Sequence, residues 1–170
     1  SGDSLTVNQS QGTLSSKNVG KGITVTAALS SGDFVSGSGT ATSNYILPTT
    51  ASGGIGEITP KALTASLTGV ASKVYDGLLT VSLSSGNYTL AGVASGDSLT
   101  VNQSQGTLSS KNVGKDITVT AALSSGDFVS GSGTDTKNYS LPTTASGAIG
   151  QISAKTLTYV AQPAERQAKA

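Results

Sequence analysis

The sequence predicts an all-β protein assembled from tandem, small β-sandwich-like repeats that together form an elongated rod. Three observations lead there. Apolar residues alternate with polar ones at a period of two, clusters of Gly, Ser, Asn and Asp interrupt that alternation at roughly ten-residue spacing, and a domain-sized block of sequence occurs twice.

The strands follow in chain order. Ile23, Val25, Ala27 and Leu29 alternate with Thr24, Thr26, Ala28 and Ser30, the pattern of a half-buried strand with a Thr-rich outer face. Leu63, Ala65 and Leu67 alternate in the same way, as do Leu79, Val81 and Leu83, then Leu99 and Val101. Ile117, Val119, Ala121 and Leu123 repeat the first pattern. Each stretch is bounded by turn-forming residues. No eleven-residue window keeps an apolar face at helical spacing, so helix is minor at most. Whether the strand order is immunoglobulin-like or β-grasp-like stays open at this level.

The aromatic residues of the second copy are Tyr75, Tyr88, Phe128 and Tyr139. Three of them follow a turn residue directly, as Asn87-Tyr88, Asp127-Phe128 and Asn138-Tyr139. The expectation is that each ring opens a strand and plugs the core, while a Tyr hydroxyl finds a backbone partner near the edge.

Residues 95–154 replay residues 1–60 at an offset of 94, since Gly2 recurs as Gly96, and eight of the 60 positions differ, leaving 52 identical. The segment Lys61–Ala94 has no counterpart before Ser1. Three regions are therefore expected: 1–60 as the C-terminal part of a first repeat, 61–154 as a complete second repeat, and 155–170 as the start of a following module. Because residues 1–60 lack the front segment that the second copy possesses, their sheet should end in an unpaired edge or pack poorly. The stretch Lys155–Ala161 is the candidate to supply such an edge with a strand from another molecule.

Composition removes several functions. A charged fraction of 11%, 4% aromatics and a net charge of +1 provide no electrostatic case for nucleic acid or an anionic membrane, and no apolar run is long enough to span a bilayer. Zero Cys and zero His exclude disulfides, thiol catalysis and zinc sites of the Cys/His kind. The block Lys61–Ala154 contains no Glu and no His, so a Ser-His-Asp arrangement is impossible, and no enzyme is expected.

Ordered motifs carry a family resemblance. Ala71-Ser-Lys-Val-Tyr-Asp-Gly77, Ser95-Gly-Asp-Ser-Leu-Thr-Val101, Gly106-Thr-Leu-Ser-Ser-Lys-Asn-Val-Gly114, Asn138-Tyr-Ser-Leu141 and Ile58-Thr-Pro-Lys-Ala-Leu-Thr64 together resemble the YDG repeat of large bacterial surface adhesins. The tail Leu157-Thr-Tyr-Val-Ala-Gln-Pro-Ala164 is similar to the opening of the related MBG modules. The resemblance implies a repeat in a secreted, filamentous-haemagglutinin-like adhesin at the bacterial cell surface, and names no ligand.

The remaining candidate sites weigh as follows. Tyr75-Asp76-Gly77 is expected to fix a chain reversal, with a residue free to take positive φ at Gly77. A Ca²⁺ role for Asp76, Asp97 or Asp127 is the sharper alternative, but hard cations want clustered carboxylates and these are dispersed, which favours Asx-turn capping. No catalytic, cofactor or metal residue is assigned. A Lys–Asn isopeptide staple at Lys73 or Lys111 lacks the apolar context that burial needs. The Gly-rich segments Ser36–Thr40 and Ser130–Thr134 have neither the Lys nor the helix of a phosphate loop and are expected to be flexible. The differences Gly22/Asp116, Ala41/Asp135, Ser43/Lys137, Ile46/Ser140, Gly54/Ala148, Glu57/Gln151, Thr59/Ser153 and Pro60/Ala154 mark surface and linker sites, with Ile46/Ser140 the least expected pair.

Two functions follow. One is a structural stalk or spacer whose partners are the neighbouring repeats of its own chain. The other is a binding module that recognises a glycan or a host or matrix protein through its Gly/Ser-rich loops.

Overall fold

The structure is a computed structural model that describes residues 2–162. It is all-β, with short 3₁₀ turns as the helical component of the described residues. The strands, in chain order, are β1 (Leu5–Val7), β2 (Thr13–Leu14), β3 (Gly20–Ala28), β4 (Phe34–Ser36), β5 (Thr50–Ile58), β6 (Lys61–Ala62), β7 (Thr64–Leu67), β8 (Ala71–Val74), β9 (Thr80–Ser82), β10 (Tyr88–Ala91), β11 (Leu99–Val101), β12 (Gln105–Leu108), β13 (Gly114–Ala122), β14 (Phe128–Ser130), β15 (Tyr139–Ser140) and β16 (Thr144–Ser153). The described residues divide into two compact units, one of residues 2–61 with 135–140, the other of residues 62–134 with 141–162.

In the second unit, β16 and β13 form the centre of a seven-stranded sheet of order β10-β7-β16-β13-β12-β9, with β8 also paired to β16. β13 pairs antiparallel with β16, placing Val119 opposite Gly147 and Ala121 opposite Ala145. The first strands of the unit instead run parallel to its last: Ser66 in β7 lies opposite Ser146, and β8 continues alongside with Ala71 opposite Gly150 and Val74 opposite Ser153. Parallel neighbours require a long crossover, and the chain between β8 and β16 is that crossover. A separate ribbon joins β11 to β14, with Val101 opposite Phe128.

The expected alternation along β13 is present: Val119, Ala121 and Leu123 are buried and Ile117 half-buried, while Thr118 and Thr120 are exposed. Together with Leu67, Ala71, Val81, Leu83, Val101, Leu108, Phe128, Ala145, Ile149 and Ile152 they form one apolar cluster. No polar or charged side chain is buried among the described residues, so apolar burial provides the main stabilisation of this unit. Leu79 departs from its expected alternation: it lies before β9, is exposed, and contributes its carbonyl to Leu108 N at 2.7 Å.

Tyr88, Phe128 and Tyr139 open β10, β14 and β15, each directly after a 3₁₀ turn. Phe128 and Tyr139 are buried and Tyr88 half-buried. The turns explain the pairing of a turn residue with an aromatic. In the first two, the Asn87 or Asp127 side chain reaches back to the backbone of Ser84 or Ser124 (3.0 and 2.8 Å), while that serine takes part in a reciprocal cap, and the closed turn aims the next residue inward. Tyr75 is a correction to the expected core. It follows β8 rather than opening a strand, it is exposed, and its backbone N–H donates to Ser153 O at 2.8 Å.

The first unit repeats the ribbon and the central sheet. β1 pairs with β4, Val7 opposite Phe34, and β2-β3-β5 form a three-stranded antiparallel sheet with Val25 opposite Gly53. Both copies carry a bulge at the same place, where Gly22 has φ 64° and Asp116 has φ 55°. A left-handed position explains why this pair differs: Gly accepts it freely, and Asp is among the few other residues that tolerate it. Ile46 and Ser140 are both exposed, which removes the difficulty of that substitution.

Candidate functional site

The motif that sequence singled out, Tyr75-Asp76-Gly77, lies where β8 ends and the chain turns toward β9. Gly77 has φ 78°, so the reversal needs a residue without a Cβ. Asp76 Oδ1 accepts from Leu78 N at 3.0 Å, closing an Asx turn. The same oxygen accepts from Lys73 Nζ at 2.8 Å. Lys73 Nζ also donates to the carbonyl oxygens of Leu78 at 2.7 Å and Thr80 at 2.6 Å. Three acceptors engage all three ammonium donors, so the side chain ties both arms of the reversal together.

This corrects the expectation for Lys73. Its side chain is only 14% exposed, against 46% for Asp76, because the loop it staples folds over it. The Lys73 hydrogen bond, followed by that of the Leu78 backbone, holds the Asp76 carboxyl below the usual carboxylate range. With its donors committed to the turn, Lys73 is a structural cation. Lys111 is exposed. The signal that identifies Lys73 in sequence is the spacing Lys-x-x-Asp-Gly, which brings a long cationic stem back over a turn.

The other acidic residues are not gathered with Asp76. Asp127 caps its 3₁₀ turn through Ser124, and Asp97 N donates to Ala94 O at 3.0 Å. Among the described residues, no three of His, Cys, Asp and Glu come together in a geometry that could hold a metal ion.

The Gly/Ser-rich segments, expected as loops without a phosphate-binding role, close hydrogen-bonded turns. Gly131 N donates to Ser98 O at 2.8 Å, Thr134 N to Gly131 O at 3.1 Å, and Thr134 Oγ1 accepts from Ser98 N at 2.8 Å. Ser36–Thr40 repeats the arrangement on Ser4. A Cβ on Gly131 would lie 2.8 Å from Ser98 Cβ, which accounts for the glycine. Backbone N–H groups engaged in this way are not aimed at an anion.

A cleft of about 300 Å³ in the second unit is lined by residues that include Tyr88, Leu90, Val93, Asp97 and Ser98. The Tyr88 hydroxyl donates to Gln103 O at 2.9 Å, the backbone partner expected of a core tyrosine. Burial, with a smaller contribution from the Asp127 charge, pushes that hydroxyl above the usual tyrosine range.

The fold and these turns define a class: a Cys-free, all-β repeat unit whose polar side chains serve mainly to close turns. The profile of the YDG domain matches residues 59–147, and the chain belongs to the YDG domain family. No curated protein and no solved structure matches it. The matched span contains the Lys73–Asp76–Gly77 turn.

Proposed function

We propose that this chain is a stretch of tandem structural repeats from a secreted, filamentous-haemagglutinin-like bacterial adhesin, serving as stalk or spacer in cell adhesion. The observation that carries the reading is the near-identical duplication, 52 of 60 positions at an offset of 94 residues, in a YDG-family chain without cysteine. Copies that similar preserve a building unit, whereas repeats that diverge in their loops suit a set of different ligands. In this reading the repeats join end to end as an elongated rod outside the cell, their partners are neighbouring repeats, and the chain catalyses nothing. The polar turn chemistry supports it: Lys73 and Asp76 direct their hydrogen bonds at their own turn, and the Thr134 hydroxyl accepts from the backbone N–H of Ser98 in the facing loop.

Two measurements test it. Antibodies raised against the chain should label intact cells of the source bacterium without permeabilisation. A glycan array and a panel of matrix proteins should show no saturable binding to the purified chain. Absence of surface labelling overturns the location, and micromolar saturable binding replaces the spacer with a ligand-binding module.

A further inference from the structure

The reversal between β8 and β9 contains the single Asp-Gly dipeptide of the sequence, Asp76-Gly77, and no Asn-Gly occurs. An aspartyl residue followed by glycine is chemically labile, because no Cβ shields the next backbone nitrogen. That nitrogen can attack Cγ of the protonated carboxyl: the N–Cγ bond forms, the Cγ–OH bond breaks, and the hydroxyl leaves as water with the amide proton. The product is a five-membered succinimide. Water adding at its Cγ carbonyl restores aspartate. Water adding at its other carbonyl leaves isoaspartate, whose main chain runs through Cβ and Cγ and is one carbon longer. The remaining aspartates Asp3, Asp33, Asp97, Asp116, Asp127 and Asp135 precede Ser, Phe, Ser, Ile, Phe and Thr, whose side chains hinder the same attack.

The Asp76 side chain is 46% exposed, so water reaches it and dryness gives no protection. The restraint is in the hydrogen bonds. Attack needs a protonated carboxyl whose Cγ becomes tetrahedral, whereas Oδ1 is engaged by Lys73 Nζ at 2.8 Å and Leu78 N at 3.0 Å, which stabilise the planar, ionised form. The ammonium is itself fixed, since it also donates to the carbonyls of Leu78 at 2.7 Å and Thr80 at 2.6 Å. The depressed carboxyl of Asp76 agrees with this arrangement. Both flanks of the turn are tied as well: Tyr75 N donates to Ser153 O at 2.8 Å, and Leu79 O accepts from Leu108 N at 2.7 Å. An extra main-chain carbon between those two anchors has to displace one of them.

We propose that Asp76-Gly77 is a latent isoaspartate site and that Lys73, as a positioning residue acting through Asp76, keeps it closed. The reversal requires the labile pair, because Gly77 has φ 78° and Asp76 closes the Asx turn. Lys73 makes that requirement tolerable, which gives a reason for a cation only 14% exposed in a turn whose other residues face solvent. Release of the clasp commits the turn: in isoaspartate the free carboxyl hangs from Cα on a longer main chain, so it no longer meets the ammonium as the aspartate did. β8 and β9 then lose the connection that holds their shared end together. The inference is independent of what the repeats are used for.

The test ages the full 170-residue chain at neutral pH beside a synthetic peptide of residues 70–84, which has the dipeptide without the clasp, and counts isoaspartate at position 76 by mass spectrometry with electron-transfer fragmentation. The wild-type chain should accumulate it at least about tenfold more slowly than the peptide, since the reaction waits for local opening. Lys73→Met keeps the apolar stem and removes the ammonium. It should raise the rate at least about fivefold, the effect of a charge-assisted bond after solvent screening. Leu108→Ala weakens the core without touching the clasp and should leave the rate at the wild-type value. If Lys73→Met does not fold, the wild type in low urea gives the same reading: isoaspartate formation should follow hydrogen exchange at Leu78 N–H, not at Val119 N–H in the centre of the sheet. A wild-type chain as fast as the peptide overturns the proposal. So does a folded Lys73→Met variant no faster than wild type, a Leu108→Ala variant as fast as Lys73→Met, or a rate that follows Val119.

Discussion

Lys73 Nζ donates to Asp76 Oδ1 at 2.8 Å across a turn whose own closing bond, from Leu78 N, ends on the same oxygen. One carboxylate oxygen therefore holds both the Asx turn and the lysine that spans it. A charge-assisted bond on a partly exposed group is screened by solvent, so its value is expressed more clearly in pH dependence than in total stability.

The sign follows from the depressed Asp76 carboxyl. Above the unfolded value of about 4, the carboxylate is ionised in both states and the contribution is complete. It is lost as the pH falls from there through the lower folded value. Thermal midpoints of the wild type and Asp76→Asn should therefore differ at pH 6 and converge toward pH 2. A constant difference across that range would show that the carboxylate charge plays no part.

Identical side chains in the two copies should respond differently to truncation. Leu108→Ala empties a site only 1% exposed and should cost about 2–5 kcal/mol, whereas Leu14→Ala, at 41% exposure, should cost less than about 1 kcal/mol. Hydrogen exchange read separately for residues 105–122 and 11–28 provides the comparison, and equal losses would contradict the difference in coverage.

Asp116 sits at φ 55° where the first copy has Gly22 at φ 64°. Asp116→Gly should stabilise the second unit by roughly 0.5–1 kcal/mol, the left-handed penalty less the entropy that glycine loses on folding. Urea titration with an unchanged slope is the check.

The aromatic turns allow a graded test. Phe128→Ala should cost about 3–5 kcal/mol because the ring is buried in the cluster. Tyr88→Phe removes only the bond to Gln103 O and should cost about 0.5–1.5 kcal/mol. Asp135 accepts from Lys137 N at 2.9 Å at the start of its turn, so Asp135→Ala should cost up to about 1 kcal/mol rather than nothing. Denaturation curves in which Phe128→Ala costs no more than either of the other two would show that the inward and outward assignments are wrong.

What sequence determined by itself was everything set by neighbours along the chain. The alternation at Ile117–Leu123, the turn-then-aromatic pairs at Asn87-Tyr88 and Asp127-Phe128, and the positive φ at Gly77 are local consequences of period, cap chemistry and the missing Cβ. The duplication likewise needs no coordinates. Tertiary structure decided what depends on residues far apart. Ser153 and Lys73, 80 positions apart, meet because β8 runs parallel to β16, and no local pattern distinguishes a parallel from an antiparallel neighbour. Tyr75, just past the end of β8, lies outside the core, and Lys73 is enclosed because a loop closes over its stem. Leu14 and Leu108 occupy the same place in two nearly identical sequences, yet one is exposed and the other buried. Periodicity reports which face can be buried; whether it is depends on the segment that arrives to cover it.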